Sequence, residues 1–166
     1  ALASWTNSAT NTYTATYTVA EGNTDRAAGA TPISITLTDS AGNSNAEFTT
    51  LTESSAQSID ANSPAATTSA TVAGGTAKVG DQISITIVAS EGSLTCSTCT
   101  MNGVTLTNWV NTAGSTYTAR YTVAEGNTDR GAAASNFISI VLSDAAGNTN
   151  SAFTTLTESS PQIIDA

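Results

Sequence analysis

The chain has 166 residues, a formal net charge of −9, only 10% charged residues and no histidine. Such acidity opposes binding to phosphate backbones and anionic membranes, which argues against a nucleic-acid-binding role. Threonine occurs 32 times and serine 21 times, and β-branched threonine favours strands over helices. Without a helical apolar period or an apolar run approaching 18 residues, the composition predicts an all-β protein with no membrane-spanning segment.

Taken in chain order, the first segment, residues 1–61, recurs later in the sequence. Residues 17–26 return unchanged at 121–130, and residues 48–55 return at 153–160. The shift grows from 104 to 105 because one extra residue falls between Arg130 and Ile138. A period of this length matches an independent small β domain. Residues 62–166 are therefore predicted to form one complete repeat. Residues 1–61 are predicted to form only the C-terminal part of another, so that the chain begins inside a domain as a piece of a longer or processed protein.

The strands of the complete repeat follow from alternation of apolar and polar residues. Ile83, Ile85 and Ile87 alternate with polar residues in one strand, and Asn102-Gly103 is typical of a tight hairpin turn. The predicted strands are 69–72, 82–90, 94–101, 104–110, 116–123, 138–143 and 152–157. Seven short strands at this spacing predict an immunoglobulin-like β-sandwich, so the fold class is all-β with tandem repeats, the first of them incomplete.

Three stretches carry a family resemblance. They are GDQISITI at 80–87, TYTARYTV at 116–123 and ISIVLSDAAGN at 138–148. Together they resemble the bacterial immunoglobulin-like repeats of large cell-surface proteins and adhesins. The resemblance implies an extracellular, cell-surface location and a role as a stalk or spacer. It also implies that calcium can stiffen the junctions between repeats.

The two cysteines, Cys96 and Cys99, lie three residues apart. Two thiolates without histidine cannot complete a structural zinc site, and no helix follows them as a thioredoxin-like motif would require. We therefore predict a short-range disulfide that pins a turn in an oxidising compartment.

Five acidic residues are candidates for a calcium site between repeats. In immunoglobulin-like units stacked end to end, Glu21, Asp25 and Asp60 of one unit would meet Glu91 and Asp144 of the next. Ca²⁺ takes six to eight oxygen ligands, so this set predicts a junctional Ca²⁺ site. The alternative is that Asp144 only caps its own turn through backbone N–H groups.

The functional prediction is a non-catalytic structural module. Serine and threonine are weak nucleophiles without a positioned base, and the chain lacks histidine. We expect a module of an extracellular filament or adhesin stalk, with the incomplete repeat completed by an adjoining part of an array or by strand complementation from a neighbouring subunit. The alternative is a ligand-binding module for a carbohydrate or host receptor, with the Cys96–Cys99 loop as its tip. Trp5 and Trp109 are interpreted as core or semi-core anchors rather than as sugar-stacking platforms.

Overall fold

The computed structural model describes residues 1–53, 55–65, 69–132 and 137–166, which form strands and loops but no helix. The predicted all-β class is confirmed. Within this described part of the chain, no helix has the length and apolar character needed to cross a membrane. The chain divides into two compact units, unit 1 from Ala1 to Asn62 and unit 2 from Ser63 to Ala166.

In unit 1, of which the structure describes residues 1–53 and 55–62, two strands, β1 (Ala3–Ala9) and β2 (Thr12–Thr16), form an antiparallel hairpin. Isolated bridges organise the rest of the unit. They pair Arg26 with Ile59, Ile35 with Phe48 and Thr38 with Ser44.

The described residues of unit 2 form ten strands arranged in several sheets, which is consistent with a β-sandwich. Their bounds are β3 (Ser69–Val72), β4 (Gly75–Lys78), β5 (Gln82–Val88), β6 (Thr95–Met101), β7 (Val104–Thr105), β8 (Thr107–Ala113), β9 (Thr116–Thr122), β10 (Ile138–Ser143), β11 (Thr157–Glu158) and β12 (Gln162–Asp165). One sheet has the order β11-β3-β5-β9-β8, a second has the order β10-β6-β7, and β12 pairs with β4. The pairs β11–β3 and β12–β4 are parallel, and the others are antiparallel.

The core of unit 2 follows the predicted alternation along β5, β9 and β10. Every second residue of these strands is buried, and the residues between them are half-buried or exposed. The buried members are Ile83, Ile85, Ile87, Tyr117, Ala119, Tyr121, Ile138, Ile140 and Leu142. All of them belong to one hydrophobic cluster, and each fully buried large side chain contributes about 1.5–3 kcal/mol relative to exposure.

Two predicted strands differ from those observed. The predicted strand 104–110 is divided at the buried residue Leu106, because β7 pairs with β6 in one sheet and β8 pairs with β9 in the other. The predicted strand 152–157 is wrong: only Phe153 forms a bridge, to Ile140, and β11 begins at Thr157. The extra residue between the two repeats falls in a loop whose positions 133–136 lie outside the described residues.

Two strands were missed by the sequence analysis. These strands are β4 and β12, which pair in parallel from Gly75–Gln162 to Lys78–Asp165. The chain enters β4 through Gly74, which has a φ of +78°. A Cβ atom there would lie 1.8 Å from the carbonyl oxygen of Ser160, so both the backbone conformation and the space require glycine.

Candidate functional site

Unit 1 exposes a set of large apolar side chains, which we call the open face. Its members are Trp5, Tyr13, Tyr17, Val19, Leu37, Phe48 and Leu51. Tyr17 is 43% exposed, whereas Tyr121, its counterpart in unit 2, is 0% exposed. Leu37 and its counterpart Leu142 differ in the same way, at 46% and 0%. The side chains that form the core of unit 2 are thus solvent-accessible in unit 1.

A groove with a volume of about 640 Å³ opens on unit 1 beside these residues. Its apolar lining includes Leu2, Tyr17, Ile33, Leu51 and Ile59. The counterparts of these five residues in unit 2 are buried or packed against the core, namely Leu106, Tyr121, Ile138, Leu156 and Ile164. The groove therefore corresponds to a volume that protein side chains fill in unit 2.

Despite this difference in exposure, the two units share their local hydrogen bonds. Tyr17 donates its hydroxyl to Asn23 Oδ1 (2.6 Å), and Tyr121 donates its hydroxyl to Asn127 Oδ1 (2.8 Å). The same two asparagine oxygens accept the backbone N–H groups of Ala20 and Ala124, each at 3.0 Å. The hairpins match as well, because the β1–β2 register is the β8–β9 register displaced by 104 residues. The repeat seen in the sequence is therefore a repeat of backbone geometry.

An arginine marks one place where the two units differ. Arg130 is buried, its guanidinium lies over the ring of Phe137, and its Nη2 is 3.5 Å from Glu158 Oε1. Burial lowers the pKa of Arg130, and the charge of Glu158 partly opposes this. In unit 1 Arg26 lines the groove, and Pro32 stands in the place of Phe137.

The predicted calcium ligands lie in two groups, each within its own unit. In unit 1, Asp25 accepts hydrogen bonds from the backbone N–H of Ala61 (2.8 Å) and from Asn62 Nδ2 (2.8 Å). Glu21 and Asp60 lie at this end of the unit, where Gly22 N–H donates to the Ala61 carbonyl (2.9 Å). The hydrogen bonds that Asp25 accepts from Ala61 and Asn62 lower the pKa of its carboxyl group, and the bond from Ala61 has the larger effect.

The other two predicted ligands belong to unit 2. Glu91 lies in the loop before β6, and Asp144 follows β10, whose end pairs with the start of β6. The described residues contain no group of three or more Asp, Glu or Cys side chains placed to share one metal ion. Calcium binding stays a prediction.

Asp144 forms the turn that the alternative interpretation expects. Its Oδ1 accepts the N–H groups of Ala146 and Asn148 (both 2.9 Å), and its Oδ2 accepts Asn148 Nδ2 (2.9 Å). Partial desolvation, the largest single influence, raises the pKa of Asp144, but the hydrogen bonds together outweigh it and the pKa is lowered. Asp39 forms the same turn in unit 1 with Ala41 and Asn43.

We expect unit 2 to lose stability in acid because of this turn. A folded-state pKa below the ordinary value of 3.8 means that the contribution is fully present above that pH and disappears as the pH falls through the folded-state pKa. Thermal unfolding of unit 2 between about pH 5 and about pH 2 measures this loss. The melting temperature of the Asp144→Asn variant should fall less steeply over this pH range. An equal fall in both proteins would contradict the assignment of the acid sensitivity to Asp144.

The two cysteines form the predicted disulfide, with a Cα–Cα distance of 5.9 Å. The prediction that it pins a turn is wrong, because both residues belong to strand β6. Thr98 pairs with Val141 and Cys96 with Leu142, so Ser97 is the extra residue of a bulge opposite β10. Residues three apart face opposite sides of a regular strand, and the bulge brings both sulfurs to one side. Cys99 is buried in the core, so the disulfide is no loop tip.

Removing the disulfide should destabilise unit 2 by about 2 kcal/mol, the chain-entropy value for so short a closed loop. The measurement is urea unfolding of the protein with and without reductant. The Cys96→Ala, Cys99→Ala double variant is the matched control, because reductant should leave it unchanged. Equal midpoints for the oxidised and reduced wild-type protein would contradict this prediction.

The tryptophans differ between the units as the other apolar residues do. Trp109 is half-buried, stacks on Tyr117 with ring centroids 4.8 Å apart, and donates Nε1–H to the Leu94 carbonyl (3.4 Å). It anchors the edge of the core in unit 2, as predicted. The same interpretation is wrong for Trp5, its counterpart, which is 46% exposed on the open face of unit 1.

These features define an all-β chain with a repeated backbone pattern, one unit with a filled core and one unit with an open apolar face. No protein-family model, curated protein or solved structure matches the chain.

Proposed function

We propose that the chain is a structural repeat module of an extracellular filament or adhesin stalk, built from immunoglobulin-like units and providing reach and rigidity. The observation that carries the proposal is the recurrence of the same hydrogen bonds in both units. Asp25 Oδ1 accepts Ala61 N–H at 2.8 Å, and Asp129 Oδ1 accepts Ala166 N–H at 2.8 Å. Repetition of one structural unit along a chain is characteristic of elongated repeat proteins.

The side-chain chemistry supports a non-catalytic role. The acidic residues with lowered pKa values use their carboxylates to hold backbone structure: Asp39 and Asp144 accept N–H groups of their own turns, and Asp25 accepts the N–H of the distant Ala61. Carboxylates engaged in this way stabilise structure and are poor general bases. The disulfide is compatible with the oxidising environment of an extracellular protein.

The exposed aromatics of unit 1 are the feature that a carbohydrate- or receptor-binding module would predict. Tyr13 and Tyr17 are 52% and 43% exposed, but Tyr117 and Tyr121 at the same positions of unit 2 are core residues. Their exposure is therefore better explained by an uncovered core than by a sugar platform. Placement of the disulfide in β6 also removes the loop on which that alternative relied.

Electron microscopy of the purified chain over a range of concentrations tests the proposal. We expect filaments with an axial repeat of a few tens of Å, the length of one sandwich. Grids prepared with a calcium chelator test the junctional Ca²⁺ prediction at Glu21, Asp25, Asp60, Glu91 and Asp144, since loss of calcium should make the filaments more flexible. Compact, non-assembling particles at all concentrations would contradict the structural role.

A further inference from the structure

The disulfide of unit 2 lies at the place where strand β6 changes the side that it turns to the core. Met101 and Cys99 are buried, as expected for alternate residues of a strand. Strict alternation from Met101 would also direct Ser97 inward and leave Leu94 outward. The structure has the reverse arrangement, because Leu94 is buried and Ser97 is exposed. The bulge residue Ser97 therefore determines which residues at the start of β6 face the core.

Leu94, immediately before β6, is bonded through its backbone to the other sheet. Its N–H donates to the hydroxyl oxygen of Tyr117 in β9 (2.9 Å), and its carbonyl accepts the Nε1–H of Trp109 in β8 (3.4 Å). The rings of Trp109 and Tyr117 stack on each other with centroids 4.8 Å apart. The position of the indole thus depends on Leu94, and the position of Leu94 depends on the bulge.

The side chains of the bulge do not hold it in place. Ser97 and Thr98 are exposed, and neither side chain makes a hydrogen bond within the part of the chain that the structure describes. A bulge leaves its extra residue without a partner in the ladder, so the strand gains pairing when the bulge is lost. The bond between Cys96 and Cys99 spans these two residues and opposes that loss.

Reduction changes the space that the two sulfurs need. A dithiol supplies two electrons and two protons, so the S–S bond breaks, each cysteine becomes a thiol and the dithiol becomes a disulfide. Two thiols in contact lie farther apart than two bonded sulfurs. Cys99 is 1% exposed in a close-packed core opposite Ile140, whereas Cys96 is only partly buried. Cys96 is therefore the residue that moves, away from the core.

The pairing with β10 defines where Cys96 moves. In the oxidised protein it lies opposite Leu142, which is buried. Without the bulge, Ser97 takes the position opposite Leu142, and Cys96 lies opposite Ser143, the next residue of β10. Opposite residues of paired strands face the same side, so Cys96 and every second residue before it, including Leu94, then face away from the core.

We propose that the Cys96–Cys99 disulfide is a redox-sensitive lock on the register of β6. In the oxidised protein it holds the bulge at Ser97, which keeps Leu94 in the core and Trp109 in its stacked position. Reduction by a dithiol releases the bulge, turns Leu94 outward and frees the indole of Trp109. The inference is independent of the proposed function, because it concerns unit 2 alone.

Fluorescence of Trp109 tests the lock in the full chain carrying Trp5→Phe, which removes the other tryptophan. Reduction with dithiothreitol should raise the acrylamide quenching constant of Trp109 at least about 2-fold. In hydrogen exchange, the Leu94 N–H should lose at least about 10-fold more protection than the Asn102 N–H, which donates to the Phe137 carbonyl beyond the other end of β6 (2.6 Å). A disulfide that only stabilises the whole unit would lower both protections by the same factor.

A rescue experiment separates the register of β6 from the covalent bond. In the Cys96→Ala, Cys99→Ala variant, acrylamide should quench Trp109 as strongly as in the reduced protein. Deletion of Ser97 from this variant should restore the weak quenching of the oxidised protein, because alternation along the shortened strand directs Leu94 inward without a bulge. Ser97→Ala in the same variant is the matched control, since it keeps the number of residues and should restore nothing.

Three results would overturn the proposal. They are equal quenching of Trp109 before and after reduction, equal losses of protection at Leu94 and Asn102, and a Ser97 deletion that leaves Trp109 strongly quenched or unfolds unit 2. Amide exchange of β5 and β9 detects such unfolding, because these central strands keep their protection for as long as the unit stays folded.

Discussion

Replacement of Tyr121 by alanine is expected to destabilise unit 2 by about 3–5 kcal/mol, the range for removing a large aromatic side chain from a packed core. Tyr121 is fully buried, lies opposite Ile83 and donates its hydroxyl to Asn127 Oδ1. The substitution removes the ring from the core and leaves that asparagine oxygen with one donor fewer. Amide hydrogen exchange of β5 and β9 measures the free energy of opening of unit 2.

Tyr17→Ala is the matched control, because residues 18–26 are identical to residues 122–130 and Tyr17 donates to Asn23 Oδ1 as Tyr121 does to Asn127 Oδ1. Its ring is 43% exposed, so we expect a loss of about 1 kcal/mol or less in unit 1. Similar losses for the two substitutions would mean that unit 1 has a filled core of its own in solution.

Replacement of Asn150 by alanine is expected to destabilise unit 2 by about 2–3 kcal/mol. This buried asparagine accepts the N–H of Leu142 and donates to the carbonyls of Ile140 and Ser151. Alanine would leave the buried Leu142 N–H without its acceptor, and an unsatisfied buried donor costs about 1–3 kcal/mol. Equilibrium unfolding in urea measures the difference.

Asn45→Ala provides the comparison within unit 1. Asn45 accepts the Leu37 N–H and donates to the Ala46 carbonyl, but it is exposed, and water can replace the lost partners. We expect a loss of less than about 1 kcal/mol. An equal cost at both positions would show that burial does not control the contribution of this asparagine.

Alternation of apolar residues predicted the central strands of unit 2 well. The pattern of Ile83, Ile85 and Ile87 is unambiguous because every intervening residue is polar, and all three are buried. Edge elements were harder to predict. The isoleucines of β12, Ile163 and Ile164, are adjacent, so they show no alternation, and the parallel pairing of β12 with β4 depends on a partner almost 90 residues away.

The candidate site was only partly predictable, for two physical reasons. The spacing of Cys96 and Cys99 indicates a disulfide, but it does not reveal the bulge that lets both sulfurs face one side of a strand. The asparagines Asn127 and Asn150 were missed because single polar residues in turns carry no periodic signal. Their presence at equivalent positions in both repeats, as Asn23 and Asn45, is the sequence signal that could have identified them.

The parallel pairing of β12 with β4 has a mechanical consequence. The chain enters β4 from the N-terminal side of unit 2 and leaves β12 toward its C-terminal side, so tension applied at both ends pulls these strands in opposite directions along their length. Inter-strand hydrogen bonds run across the strands, and such a force loads all four residue pairs in shear at once instead of opening them one by one. The short β11–β3 pair is loaded in the same sense. Unit 2 should therefore rupture at a higher force when it is stretched end to end than when two neighbouring antiparallel strands are peeled apart from their hairpin end.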